Sequence, residues 1–186
     1  MNRKLAFILV SLVLLSVLSA GCAPTTESAP PVGTQQVQQF VGTVEGSNAF
    51  IGIATQENRI LAYVCDGTLE QAPTTYAWFK GEVSGNSFDL TSEDGLHLTG
   101  QLESNTANGR VQFADGSEHA FAADLARPPA GLFRLEQTVE ANQIISGWIV
   151  LANREFRGGN KMSGDGSLGK IDSALVTMDA QNLALP

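Results

Sequence analysis

The side chains able to do covalent or metal chemistry are few: two cysteines, two histidines and a scatter of carboxylates. His97 alternates with Leu96 and Leu98, which places it on the polar face of a strand. Neither it nor His119 has a second ligand at a metal-site spacing, or an acid and a nucleophile arranged around it. Gly-x-Ser-x-Gly is absent, so the commonest signature of secreted hydrolases is missing. Asp66, Asp94 and Asp115 each precede a glycine, the position an acid favours in tight turns whatever the protein does, and Glu93 sits beside one of these pairs. The run Gly164-Asp165-Gly166-Ser167-Leu168-Gly169-Lys170 matches a phosphate-binding loop up to Ile171, which stands where a Ser or Thr must hold magnesium. With Asp165 as its only acid, the same run also lacks the alternating ligands of a calcium loop. The expectation is a chain with no catalytic residues, no cofactor site and no metal site.

The aromatic residues are of another kind. Tyr63, Tyr76, Trp78 and Trp148 are large and partly polar, and such residues line both cores and ligand sites. Trp78 shares a strand face with Tyr76 and Lys80, a combination that does not suit a sealed core, so Tyr76 and Trp78 are the candidate ligand or partner contacts. Cys65 closes the run Ile60-Leu61-Ala62-Tyr63-Val64, in which both alternating sets are apolar. It is therefore expected to be a buried, unreactive thiol on a central strand covered on both faces.

The elements that must carry these residues are strands. From residue 75 to 125, short runs with apolar residues at period two are separated by Gly85-Asn86, Asp94-Gly95, Asn108-Gly109 and Asp115-Gly116, pairs that tolerate the positive φ of two-residue hairpins. Gly46-Ser47-Asn48 marks an earlier hairpin. Residues 66–75 read as a turn and a short helical piece. Arg127-Pro128-Pro129 interrupts the meander, because prolines cannot donate to a ladder. A second hairpin then turns at Glu140-Ala141-Asn142, with Trp148 and Ile149 as its anchors. The prediction is an all-β fold, an antiparallel meander of about eight to eleven short strands closing as a small barrel or sandwich, with few or no helices. It spans residues 37–157 and is followed by a glycine-rich loop and a possible final strand, Ala174-Leu175-Val176-Thr177-Met178, within 158–186. Gly42, Gly81 and Gly100 lie mid-strand in echoing segments. Each marks either a sharp bend or close backbone approach at a barrel corner, or a large neighbouring side chain packed over it.

Ahead of the meander, Arg3 and Lys4 precede an apolar run over residues 5–20, shorter than the roughly 20 residues that span a bilayer. The run ends in Leu18-Ser19-Ala20-Gly21-Cys22, which resembles the lipobox of bacterial lipoprotein precursors, although Ser19 stands where that family usually has Leu. The resemblance implies a signal peptide over residues 1–21 and a diacylglycerol on Cys22, which would leave Cys65 without a partner in the chain. Ala23 lacks the inner-membrane retention signal an Asp would carry. The implied localisation is export and lipid anchoring in the cell envelope, on the plasma membrane's outer face or on the outer membrane where one exists. Residues 22–36, small, polar and proline-punctuated, form a tether.

Losing residues 1–21 removes two basic residues and no acids, leaving 9 basic against 19 acidic residues, a net of -10. Such a surface repels phosphate backbones, so no nucleic-acid partner is expected. The segments Tyr63-Val64-Cys65-Asp66-Gly67 and Gly147-Trp148-Ile149-Val150-Leu151 loosely resemble those of uncharacterised secreted bacterial β domains, and the Gly-x-Trp signature of lipocalins is missing. The functional expectation is a non-enzymatic binding or scaffolding module that reaches the membrane through Cys22. Its partner is an envelope protein; the alternatives are a barrel carrying a small apolar ligand and, third, a hydrolase.

Overall fold

A computed structural model describes residues 36–173. The segment expected to be a signal peptide, Cys22, most of the expected tether and the possible strand from Ala174 lie outside the described residues. Between Gln38 and Lys170 the chain forms twelve strands and no helical element. Eight of them make one antiparallel sheet: β1 (Gln38–Val44), β2 (Phe50–Gln56), β3 (Arg59–Cys65), β4 (Tyr76–Glu82), β5 (Ser87–Thr91), β6 (His97–Leu102), β7 (Thr106–Gln112) and β8 (Glu118–Leu125). Their order is β4-β3-β2-β1-β8-β7-β6-β5. Because β1 pairs with β8, the meander curls round on itself as a nearly closed barrel, with β4 and β5 at the two edges. A second sheet follows residues 126–130, in the order β12-β11-β10-β9. It comprises β9 (Gly131–Val139), β10 (Asn142–Val150), β11 (Phe156–Met162) and β12 (Leu168–Lys170).

The period-two pattern separates inside from outside. Phe40, Ile51, Ile53, Phe79, Leu98 and Val111 fill the barrel with their neighbours, each at 1% exposure or less. The alternate residues of β2 and β3 are no wetter: Phe50, Ala54, Leu61, Tyr63 and Cys65 pack with Leu132 and Ile149 of the second sheet. That sheet covers the barrel wall at β2 and β3, which is why β3 reads as apolar on both faces. Trp148 and Val150 point the other way and gather Phe133, Phe156 and Ile171 into a third cluster.

Three local expectations are corrected. Asn108-Gly109 is not a turn but the middle of β7, and the chain reverses instead at residues 103–105, where Glu103 N–H bonds Thr106 O at 2.8 Å. Gly109 is required by crowding: a Cβ there would lie 2.0 Å from Thr99 O. Residues 66–75 hold no helix, because Asp66 Oδ1 accepts the backbone N–H of both Thr74 (2.8 Å) and Thr75 (2.9 Å), and this ties the loop shut. The glycine-rich stretch from Gly158 is a loop only over residues 163–167, since Phe156–Met162 is the strand β11, paired with both β10 and β12. Its glycines are there to be covered: Gly159 lies under Pro73 of the 66–75 loop, and Gly158 N–H bonds Gly67 O at 2.9 Å.

The mid-strand glycines divide between the two readings. A Cβ on Gly42 would sit 1.9 Å from Ala122 O, a backbone approach across the β1–β8 ladder, whereas over Gly81 it is the side chain of Leu90 that packs. Gly100 meets both the ring of Phe88 and the carbonyl of Asn108. Gly85, in contrast, has φ +66° and nothing within 4 Å. Gly42→Ala is therefore expected to cost about 3 kcal/mol or more, since the ladder itself must shift. Gly85→Ala should cost about 1–2 kcal/mol, the left-handed penalty alone. Urea unfolding of the two variants checks this, and equal losses would show that Gly42 is not a crowding site.

Candidate functional site

β3 and β4 run side by side with Tyr63 opposite Trp78 and Cys65 opposite Tyr76. On the barrel's outer face this register stacks the Tyr63 ring on the Trp78 indole, centroids 4.2 Å apart, with Tyr76 edge-on to Tyr63 at 5.2 Å. The second sheet can approach these rings because Gly147 has no side chain; a Cβ there would lie 2.5 Å from Trp78 and 2.9 Å from Tyr63. The Tyr76 O–H donates to Ile145 O at 2.7 Å and pins the end of β4 to β10.

Just beyond that bond the two layers part and a cleft of about 230 Å³ opens. Tyr76, Trp78 and Lys80 of β4 form one wall, and Thr91, Glu93 and Asp94, from the end of β5 and its turn, form another. Arg134, Ile145 and Lys161, from three strands of the second sheet, close the third side. Their order along the strands explains this: Leu132, Ile149 and Arg157 face the barrel where the layers touch, and the residues further along the same faces look into the gap. A second chamber of about 290 Å³ shares Tyr76, Asp94 and Lys161 with the first and continues past Leu96, Phe113 and Leu168. The Lys161–Asp94 ion pair, 3.3 Å, lies between the two.

Charge and hydrogen bonding in the groove are unbalanced. The Arg134 guanidinium sits over Trp78, 5.3 Å from the ring centroid, and pairs with Glu136. Lys80 forms no ion pair with any described residue. The Tyr63 hydroxyl, the Trp78 indole N–H and the Arg134 Nε–H are buried without a hydrogen-bond partner among the described residues. Each such orphan costs about 1–3 kcal/mol, and native structures hold few of them. Two of the three, on Trp78 and Arg134, belong to residues that line the cleft, and the third, on Tyr63, lies in the core behind Trp78.

No protein-family model, curated protein or solved structure matches this chain. The site is therefore read from its geometry. Tyr76 and Trp78 both line the groove, as their shared face with Lys80 implied. Arg134, Ile145 and Lys161 were not singled out in the sequence, and the only signal for them was the alternation that put each on the same face as a buried neighbour.

The remaining candidates lie elsewhere. His97 Nε2 is 2.6 Å from Asp89 Oδ1, but the pair stands on the exposed face of β5 and β6, with side chains 41% and 72% accessible. His119 Nδ1 lies 2.8 Å from Glu45 O, and its Nε2 lies 3.1 Å from Ser117 Oγ. Ser117 already gives its one proton to Asp115, at 2.6 Å, so His119 does not act on it as a base; the ring staples the β7–β8 turn to the β1–β2 turn. Neither histidine lines the groove.

Burial pushes the Cys65 thiol up to about 11, and burial likewise raises both tyrosine phenols. At neutral pH Cys65 is thus a protonated thiol in the inter-sheet core, and Tyr63 and Tyr76 are donors, not bases. In a Cys22→Ala chain, where Cys65 is the sole thiol, an aromatic disulfide reagent at pH 8 is expected to react fully only after denaturation. Rapid modification of the native protein would show that the core around Cys65 opens.

Proposed function

We propose that this chain is a lipid-anchored domain of the bacterial cell envelope that binds another envelope component through the groove between its two sheets, without chemistry of its own. The observation that carries the reading is where the empty space lies. The barrel interior is occupied by its own buried side chains, while the open volume sits outside the barrel, beside an aromatic wall and the orphaned polar atoms of Trp78 and Arg134. A barrel that carried an apolar ligand would keep its cavity inside the strands. The anchor rests on the lipobox-like segment ending at Cys22, and the tether of residues 22–36 would hold the domain about 20 Å from the headgroups.

Two measurements test this. Cys22→Ala should move the protein from the membrane to the soluble fraction, and a variant that still sediments with membranes overturns the anchor. For the groove, a photo-crosslinking amino acid at position 80 in intact cells should give a discrete adduct, while the same group at position 110, on β7, should not. Equal adducts from both positions, or none from position 80, would remove the groove as the binding site.

A further inference from the structure

The second sheet is apolar on both faces, and the barrel covers only one of them. Leu132 and Ile149 take the barrel side. Trp148 and Val150, out of phase with Ile149 along β10, point the other way and gather Phe133, Leu135, Phe156 and Ile171. Every member of this cluster belongs to the second sheet or, in Ile171, directly follows its last strand, so no described element forms a layer over the outer face. The apolar character continues along the strands, because Met162 pairs with Ile144 and Val139 pairs with Asn142, all in phase with Trp148. An apolar face of this extent marks a surface that something covers.

Exposure across the face is graded. Trp148 is 2% exposed, whereas Val139 and Met162, toward the end of the sheet at the β9–β10 hairpin, are 48% and 36% exposed. The dry part is where the chain arrives. Gly159 pairs with Lys170, so the next step of the same register sets Ile171 beside Gly158, in the row that holds Trp148. Ile171 is buried there, and residues 174–186 follow within three positions.

The sequence of that segment suits the face. Ser173, the last described residue, has helical backbone geometry, and Asp172 before it is a residue type favoured at a helix N-cap. Ile171, Ala174, Leu175 and Met178 stand at i, i+3, i+4 and i+7, the spacing that puts four side chains on one side of a helix. Thr177 and Asp179 fall to either side of that stripe. As a helix, residues 174–186 span about 20 Å. The strand from Trp148 back to Asn142, at the hairpin, is also about 20 Å long. A segment tethered at the face also acts at high effective concentration, whereas a second copy must meet the full cost of association.

We propose that residues 174–186 dock on the outer face of the second sheet as an amphipathic helix, over Trp148, and form a third layer of the domain. The inference does not rest on the groove, which lies on the other face of the same sheet.

The test uses the Cys22→Ala, Trp78→Phe chain, in which Trp148 is the sole tryptophan, and reads acrylamide quenching of its emission. In the full chain Trp148 should be shielded at every protein concentration. A stop after Ser173 should open it to the quencher and shift its emission to longer wavelength. Cys65, in the core on the sheet's barrel side, should stay unreactive in both chains, which separates an uncovered face from an unfolded domain. Substitutions at full length test the geometry: Leu175→Asp and Met178→Asp should each expose Trp148, and Thr177→Asp should not.

A shielded Trp148 in the monomeric truncated chain would overturn the proposal, as would equal exposure by Thr177→Asp and Leu175→Asp. Exposure by only one of Leu175→Asp and Met178→Asp would overturn the helix, since a strand puts those two side chains on opposite sides. Shielding that is lost on dilution of the full chain would give the face to a second copy. If the truncated chain unfolds and Cys65 reacts, the three full-length substitutions decide alone.

Discussion

The structure depends on β2 and β3 being buried on both faces. A barrel wall ordinarily has one dry face and one wet face, but here Phe50, Leu61, Tyr63 and Cys65 form a second dry face, and an element from outside the barrel must cover it. Burying residues of this size is worth about 1.5–3 kcal/mol each, so the β9–β11 layer is bound into the domain and is no loose appendage. Close approach is made possible by absent side chains. Gly52 admits Leu132 and Ile149 of the second sheet, and Gly147 admits the Tyr63–Trp78 stack of the barrel. Gln39 adds a polar tie, its side-chain oxygen accepting Leu132 N–H at 3.0 Å.

The groove follows from that contact. The two layers meet over β2 and β3 and part beyond the Tyr76–Ile145 hydrogen bond, and their strands continue on either side of the gap with their alternation intact. On β9, Leu132 is buried and Arg134, two residues on, is a groove residue. On β10 the same step leads from Gly147 to Ile145, and on β11 from Gly159 to Lys161. A single packing register thus sets both the inter-sheet core and the polarity of the cleft. The cleft inherits two residues suited to ion pairing at its rim and an aromatic stack whose polar atoms the core does not satisfy.

Closure of the barrel shows a similar separation of roles. Leu90 packs over Gly81, although no ladder joins β4 and β5 among the described residues. Exposed edges are usually blunted by charge or by bulges, because they recruit other strands. This edge carries Lys80 and Glu82, and the second sheet stands beside it. Among the described residues the arrangement restricts access to the edge and leaves it unpaired.

Much of the fold was legible in the sequence because its causes are local. Residue pairs such as Gly85-Asn86 and Asp115-Gly116 set hairpins through positive φ at the glycine, and period-two apolar patterning set which face of each strand is dry. Both are properties of a few neighbouring residues. The double burial of β3 was also legible, because both of its alternating sets are apolar, and with it the buried thiol of Cys65. Trp78 was legible as an anomaly, an aromatic residue sharing a face with Lys80.

The tertiary structure alone decided what each glycine is for. Gly109 reads as a turn signal because Asn-Gly favours positive φ, yet it is held mid-strand by a carbonyl that folding brings to it from β6. Gly158 and Gly159 read as loop because nothing in their own segment needs them small. The carbonyl of Gly147 and the Cβ of Trp148, on the neighbouring strand, require it of Gly158, and the ring of Pro73, far earlier in the chain, requires it of Gly159. The groove is of the same kind. Lys80, Asp94, Arg134 and Lys161 are ordinary surface residues in sequence, and they become one site only because a second sheet docks on the barrel at a register fixed by Gly52 and Gly147, a close approach between residues that no local pattern relates.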